Sequence, residues 1–266
     1  MSAAGPLPRA NSAMRRWVWL CFLCTPSLAA AQTAADAIAS LSAALARASF
    51  SQMAAGPVGA PWRIIGLPDQ KFPLTRFDIH RVDDGTVLRI QADGSYGNLV
   101  IAANNLALPP RTRLRWRWRL ERGLPASDLL RKDGDDAPVK VCALFDMPLD
   151  GMSFGEQARL RMARALSGEP LPAATLCYVW DRLLPAGRLL ANVFSPRVRY
   201  LVVSEGPQRP GEWRSVERPL AEDFLRAFGH ETPVVPPLIA LAVGADADNT
   251  GGSSLALVGD LQLLVP

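Results

Sequence analysis

Carboxylates are the residues of this chain whose types and spacing best suit chemistry. Asp133-Gly134-Asp135-Asp136 stands ahead of an apolar run, Asp246-Ala247-Asp248-Asn249-Thr250-Gly251 follows another, and Asp260 comes directly after Gly259. Carboxylates crowded into loops repel one another unless a cation, an arginine or water separates them. If the loops converge, Asp135, Asp136, Asp246, Asp248 and Asp260 favour a hard ion such as Ca²⁺, which binds through oxygen. The second loop has oxygen donors at alternate positions and a turn glycine in sixth place, as a calcium loop does, but Leu257 stands where such a loop closes with Glu. The competing reading is that these are solvated turn acids. Paired carboxylates also hydrolyse glycosides at separations of roughly 5 to 10 Å, so a glycan-active hydrolase using two of these aspartates is the alternative to a binding protein.

Other motifs carry less. Gly151-Met152-Ser153-Phe154-Gly155 matches the G-x-S-x-G turn of α/β-hydrolases, and Asp181 or Asp223 and then His230 follow in hydrolase order. A loop, Asp146 to Asp150, precedes it and no parallel sheet is predicted, so its expected role is a glycine-flanked entry into a helix. His80 and His230 are the only histidines and do not form an H-x-x-x-H pair, which disfavours a zinc hydrolase. Both read as surface or cap residues.

The elements that must position the acids are mostly strands. Arg113 to Leu120 alternates strictly, with Leu114, Trp116, Trp118 and Leu120 on one face and four arginines on the other. The arginine face is either a surface for a polyanionic glycan or a row paired to acids on the adjacent strand. Further strands are expected at Trp62 to Gly66, Leu99 to Ala103, Val139 to Phe145, Thr175 to Trp180, Val198 to Val203, Trp213 to Glu217, Leu238 to Val243 and Leu255 to Leu264. Thr75 to Val82 and Thr86 to Ala92 read as a hairpin around Asp83-Asp84-Gly85. Helical patterns interrupt them at Phe154 to Leu166 and Ala221 to Phe228. With no strand-helix alternation, the fold class is all-β: a two-layer antiparallel β-sandwich, jelly-roll-like, with two short inserted helices and an N-terminal helix.

Residues 1–31 read as a secretory signal, with Arg15 and Arg16 ahead of the apolar run Trp17 to Cys24 and cleavage near Ala31. The run is far shorter than the roughly 20 residues that span a bilayer, so the mature chain is expected in the periplasm or outside the cell without a transmembrane anchor. Residues 32–61 form an Ala-rich helical segment and linker, and 62–266 the β-sandwich domain. The whole chain has 29 Lys and Arg against 25 Asp and Glu; Arg9, Arg15 and Arg16 leave with the signal, and 26 against 25 remain. Such a balance lacks the basic excess of a nucleic-acid binder. Of four cysteines, Cys21 and Cys24 also leave, and Cys142 and Cys177 form either a disulfide or two buried thiols on neighbouring strands.

Several pieces resemble, in combination, a bacterial family of exported proteins known as domain of unknown function 3047. They are Lys132-Asp133-Gly134-Asp135-Asp136-Ala137-Pro138, Leu176-Cys177-Tyr178-Val179-Trp180, Trp213 with Arg218 and Asp223, Phe228-Gly229, and Ala245-Asp246-Ala247-Asp248-Asn249-Thr250 with Gly259-Asp260. The resemblance spans Trp62 to the C-terminus and implies an exported or envelope β-rich protein without an assigned activity. Where aromatic residues are expected ahead of the final Gly-Asp, this chain has Leu257 and Val258. Tyr178 and Trp180 are then the candidates for stacking on a sugar, with one of the two facing the core and Trp180 the better fit to burial. The sequence thus points to a non-catalytic sandwich binding an envelope glycan or similar polar ligand. Asp135, Asp136, Lys140, Tyr178 and Trp180 are its candidate ligand-binding residues, and the five aspartates its candidate Ca²⁺ ligands. A module for protein partners in the envelope is the third reading.

Overall fold

The computed structural model describes Met1 and residues 39–67, 70–167, 171–206 and 211–265. The expected signal, with Cys21, Cys24 and Ala31, lies outside the described residues. Helix α1 covers residues 39–47, and Leu41 and Leu45, one turn apart, are buried with Ala48. The strands that follow are β1 (Gly56–Pro57), β2 (Arg63–Ile65), β3 (Arg76–Val82), β4 (Gly85–Asp93), β5 (Tyr96–Leu106), β6 (Arg113–Arg122) and β7 (Lys140–Phe145). After α2 (Phe154–Ser167) come β8 (Ala174–Asp181), β9 (Leu189–Ala191), β10 (Val198–Glu205) and β11 (Arg214–Pro219). Helix α3 (Leu220–Phe228) precedes β12 (Leu238–Asp246), β13 (Ser253–Val258) and β14 (Gln262–Leu264).

Two sheets form the layers. The first runs β1-β3-β4-β13-β6-β11 with β14 also on β6, and the second runs β2-β5-β12-β7-β8-β10-β9. Pairing is antiparallel except between β8 and β10. That exception has a topological cause: the chain leaves β8, runs back along the edge as β9 and returns as β10 between the two. The β3–β4 hairpin turns as expected, with Val82 opposite Gly85 and Gly85 at a φ of 134°. The last expected strand divides, because the chain bends at Gly259, where the Gly259 N–H reaches the Arg117 carbonyl, and resumes as β14. The short strands β1 and β9 carry too little alternation to be read from sequence.

Aromatic residues join the layers. Trp116 and Trp118 of β6 meet Tyr178 and Trp180 of β8, with ring centroids 5.3 Å apart for Trp116–Tyr178 and 6.2 Å for Trp118–Trp180. Two of the buried indoles find acceptors, Trp118 Nε1 donating across the core to Ser204 Oγ and Trp180 Nε1 to the Gly206 carbonyl, both at 3.0 Å. The opposite face of β6 is an ion-pair row. Arg113 and Arg115 share Glu217 of the neighbouring β11, Arg117 reaches Asp84, and Arg117 and Arg119 lie over the Trp213 ring. Charge paired in this way serves the sheet, as the second reading of the arginine row expects.

The central strands β7, β8 and β12 are buried on both faces. The outer face of their sheet bears a second apolar cluster, Val100, Cys142, Cys177, Val179, Tyr200, Val202 and Ala242, together with Leu129 and Ala137 from the β6–β7 connection. Cys142 and Cys177 are register partners there and form a disulfide. Replacing both by serine should lower stability by about 2–4 kcal/mol in urea unfolding, and intact-mass measurement of the native protein should find no free thiol at these positions.

Candidate functional site

The two acid loops meet beside the outer face of the second sheet. In the β6–β7 connection, Gly134 passes so close to Asp128 that a side chain at 134 would lie 2.9 Å from the Asp128 nitrogen. This tight turn delivers Asp135 and Asp136 to the loop after β12. The Asp136 carboxylate accepts four hydrogen bonds: Oδ1 from the backbone and side-chain nitrogens of Asn249 at 3.1 and 3.2 Å, and Oδ2 from the Thr250 nitrogen and hydroxyl at 2.7 and 2.6 Å. Its own carbonyl accepts from Ser127 Oγ at 2.6 Å. One carboxylate therefore ties the two loops together.

Lys140 and Asp246 form the second tie. Lys140 opens β7 and Asp246 closes β12, and both project to the outer face, where Lys140 Nζ lies 2.5 Å from Asp246 Oδ2 and 5.0 Å from the centre of the Tyr96 ring. Asp246 Oδ1 accepts from the Ala137 N–H at 2.7 Å. Between them Gly244 must stay bare, since a Cβ there would lie 2.3 Å from Asn98 Oδ1 and 2.8 Å from the Gly97 carbonyl. Burial alone would lower the Lys140 ammonium, but the Asp246 charge, helped by Tyr96 and Tyr200, holds it above its ordinary value. Burial raises the Tyr200 phenol.

Two carboxyl groups remain incompletely satisfied. Asp135 is 4% exposed; its Oδ2 accepts from Asn192 Nδ2, which also donates to the Tyr200 hydroxyl at 2.9 Å. Its Oδ1 is buried without a hydrogen-bond partner, and so is Oδ1 of the half-buried Asp248. Burial, reinforced by the charges of Asp246 and Asp136, raises Asp135 to about 7 against the pull of Asn192 and Lys140. The same causes raise Asp248 to about 6. Asp248, Asn249, Thr250, Tyr96 and Asn192 are half-buried, so the cluster borders solvent on their side.

The structure thus brings together Asp135, Asp136, Lys140, Asp246 and Asp248. It places Asp260 elsewhere, where Asp260 accepts from the Ser51 nitrogen at 3.0 Å and the Ser51 hydroxyl at 2.5 Å and pins the chain after α1. Among the described residues no three Asp, Glu, His or Cys side chains are arranged to hold a metal ion. Tyr178 and Trp180 both face the core, because residues two apart on a strand share a face; the expectation that only one of them does is corrected accordingly. The Tyr178 hydroxyl lies 3.1 Å from Asp223 Oδ2, and Asp223 also takes both arms of Arg218 at 2.8 and 2.6 Å. Ser153 caps α2, its hydroxyl bonded to Glu156 Oε2 at 2.7 Å while the Glu156 N–H returns to it, so the G-x-S-x-G match is a helix entry. His80 is half-buried on β3, and His230 is exposed, 3.4 Å from Glu231.

Residues 60–262 match the model of a family described as protein of unknown function (DUF3047). The chain belongs to that family. The residues that carried the resemblance have structural partners in this chain: the two acid loops are bonded to each other, Tyr178 and Arg218 meet on Asp223, and Trp213 lies beneath Arg117 and Arg119. No curated protein matches the sequence. Among solved structures the chain is similar to TmCBM61 in complex with beta-1,4-galactotriose (11% identity, 83% of this chain and 96% of that one, TM-score 0.34). It is also similar to a family 11 carbohydrate-binding module from Clostridium thermocellum in complex with a beta-1,3-1,4-mixed-linked tetrasaccharide (9%, 77% and 89%, TM-score 0.34). A third is Trichoderma harzianum endoglucanase 3 from family GH12 (8%, 78% and 99%, TM-score 0.35).

Asn192, Tyr96 and Tyr200 escaped the sequence reading. Tyr96 lies opposite Asp246 in a register that only the paired strands reveal, and Asn192 follows a three-residue edge strand that carries no sequence signal. Two variants separate the roles of the adjacent acids. Asp136→Asn turns an N–H toward donors that need an acceptor and should cost about 2–4 kcal/mol in urea unfolding at pH 7. Asp135→Asn should do the opposite. An unfolded aspartate titrates near 3.9, so from about pH 4 to 7 native Asp135 holds a proton that the unfolded chain releases, and stability falls as pH rises through that window. The variant should match the wild type below about pH 4, lack the Asp135 share of the decline between about pH 4 and 7, and be more stable at pH 8 by about 1–3 kcal/mol.

Proposed function

We propose that this protein is an exported, non-catalytic β-sandwich that binds an envelope glycan or similarly polar ligand where Asp135, Lys140, Asp246 and Asp248 meet. The observation that carries this reading is the pair of buried, unpartnered oxygens, Asp135 Oδ1 and Asp248 Oδ1. A buried acceptor without a donor costs about 1–3 kcal/mol, and native proteins keep such groups where a ligand or water satisfies them. Sugar hydroxyls are donors of the right kind. Phe194 supports the reading. It is 57% exposed, its N–H is bonded to Asn192 Oδ1 at 2.9 Å, and Lys132 Nζ lies 5.6 Å from its ring centre. An exposed ring two residues from the Asp135 partner offers the apolar face on which a pyranose stacks.

Export is supported by the disulfide, which suits an oxidising compartment. Among the described residues no helix is long and apolar enough to cross a membrane. Because carboxylates outnumber Lys140 at the cluster, the same oxygens would also receive Ca²⁺, so binding is to be measured with calcium and after chelation.

The test is retention on insoluble peptidoglycan and on immobilised envelope polysaccharides. The expected result is binding that Phe194→Ala weakens about tenfold, with folding unchanged by circular dichroism. Absence of retention on every glycan would overturn the proposal. Steady release of reducing ends from a bound polymer, lost in Asp135→Asn, would replace it with the hydrolase reading.

A further inference from the structure

Helix α2 stands apart from the aspartate cluster and is attached to the sandwich along one side. There Leu160 packs against the core, the Gln157 amide donates to the Met152 carbonyl at 3.1 Å, and Arg164 reaches the Leu171 carbonyl at 2.8 Å and Asp146 at 2.9 Å. From Phe154 through Ala165 no side chain of the helix is buried. A surface helix normally turns its apolar stripe to the core, but here Phe154 is 85% exposed and Met162 65%. At 3.6 residues per turn, Phe154, Ala158, Met162 and Ala165 fall within about 80° of one another, and the exposed Arg161 and Arg159 border that stripe on either side. The outward residues include no acid. Glu156 accepts from Ser153 and lies 3.7 Å from Arg197, and Asp146 is paired to Arg164. Asp150, exposed in the loop ahead of the helix, is an opposing charge nearby.

We propose that α2 docks this protein on an anionic phospholipid surface, with Phe154 and Met162 entering the bilayer interface and Arg159 and Arg161 meeting lipid phosphates. This face is separate from the aspartate cluster and owes nothing to glycan binding. An apolar stripe edged by arginines is the pattern of a helix that lies in the plane of a membrane, its apolar side sunk about 5–10 Å into the headgroup boundary. Charge selects the occupant. A second copy would set these arginines against their own kind, with no acid among the outward residues to receive them. Area points the same way. A helix of 14 residues, about 21 Å long and about 10 Å wide, offers on the order of 200 Å², a quarter of the roughly 800 Å² that each partner gives to a stable protein complex. A bilayer demands no matched surface of that size, since apolar side chains insert one by one. Each arginine held near anionic lipid strengthens binding about fivefold.

The experiment floats the exported form of the protein, its N-terminus fixed by intact mass, with vesicles of phosphatidylcholine alone or mixed equally with phosphatidylglycerol. The protein should rise with the anionic vesicles and stay behind with the neutral ones, and high salt should release it. Arg159→Gln with Arg161→Gln should weaken binding to the anionic vesicles about 25-fold. Phe154→Ser with Met162→Ser should weaken it at least about tenfold. All four side chains are exposed, so the urea midpoint should stay at the wild-type value. Phe154→Ala alone repeats the apolar test if the double serine variant does not fold. Absence of flotation, equal flotation with both kinds of vesicle, or flotation that either pair of substitutions leaves intact would overturn the proposal. A concentration-dependent dimer in sedimentation velocity that Phe154→Ser abolishes would assign the face to a second copy instead.

Discussion

The Asp136 carboxylate is the interaction on which the candidate site depends. Four donors from Asn249 and Thr250 converge on it, and through it the β6–β7 connection is fastened to the loop after β12. A loop of this length would otherwise sample many conformations at the cost of about 1–2 kcal/mol per residue ordered. Once it is fixed, Asp135 and Asp248 are each held near Asp136, Asp246 and Lys140. The raised affinity of Asp135 and Asp248 for protons follows from this confinement.

Lys140 sets the balance of the cluster. It sits on a central strand, one layer out from the core, among Val179, Cys142 and the second apolar cluster. A lone buried ammonium there would shed its proton; paired to Asp246 it stays charged and gives the neighbouring acids a formal counter-charge on the sheet face. A buried pair of this sort contributes little net stability, since desolvation offsets attraction. Its consequence is positional. Asp246 is held against Ala137, and the first loop is clamped at a second point.

Beneath the site, the Trp116–Tyr178 and Trp118–Trp180 contacts hold the sheets in register. They also explain why the aromatic candidates for sugar stacking proved to be core. Tyr178 and Trp180 share a parity with Leu176, and the whole row faces inward. The exposed aromatic ring near the acids is Phe194 instead, in a loop after a short edge strand, where no periodicity could mark it. Asp260 illustrates the same limit. It lies in a motif with the other aspartates, yet β13 and β14 belong to the first sheet, so Asp260 lands beside Ser51 rather than beside Lys140.

What the sequence determined by itself was the periodic part of the molecule. Alternation in Arg113 to Leu120 specified a strand, its buried face and its paired arginines, because a pleated strand sends successive side chains to opposite sides. Turn residues placed the β3–β4 hairpin, and the acids of the two loops could be named in advance because they crowd together where apolar runs begin or end. Only the tertiary structure decided which acids meet, that Lys140 is paired to Asp246 among them, and that Asn192, Tyr96 and Tyr200 complete the cluster. The reason is range: strand patterns are set by neighbours one and two residues away, whereas the bond from Thr250 to Asp136 joins residues 114 apart and exists only once β12 has paired with β7.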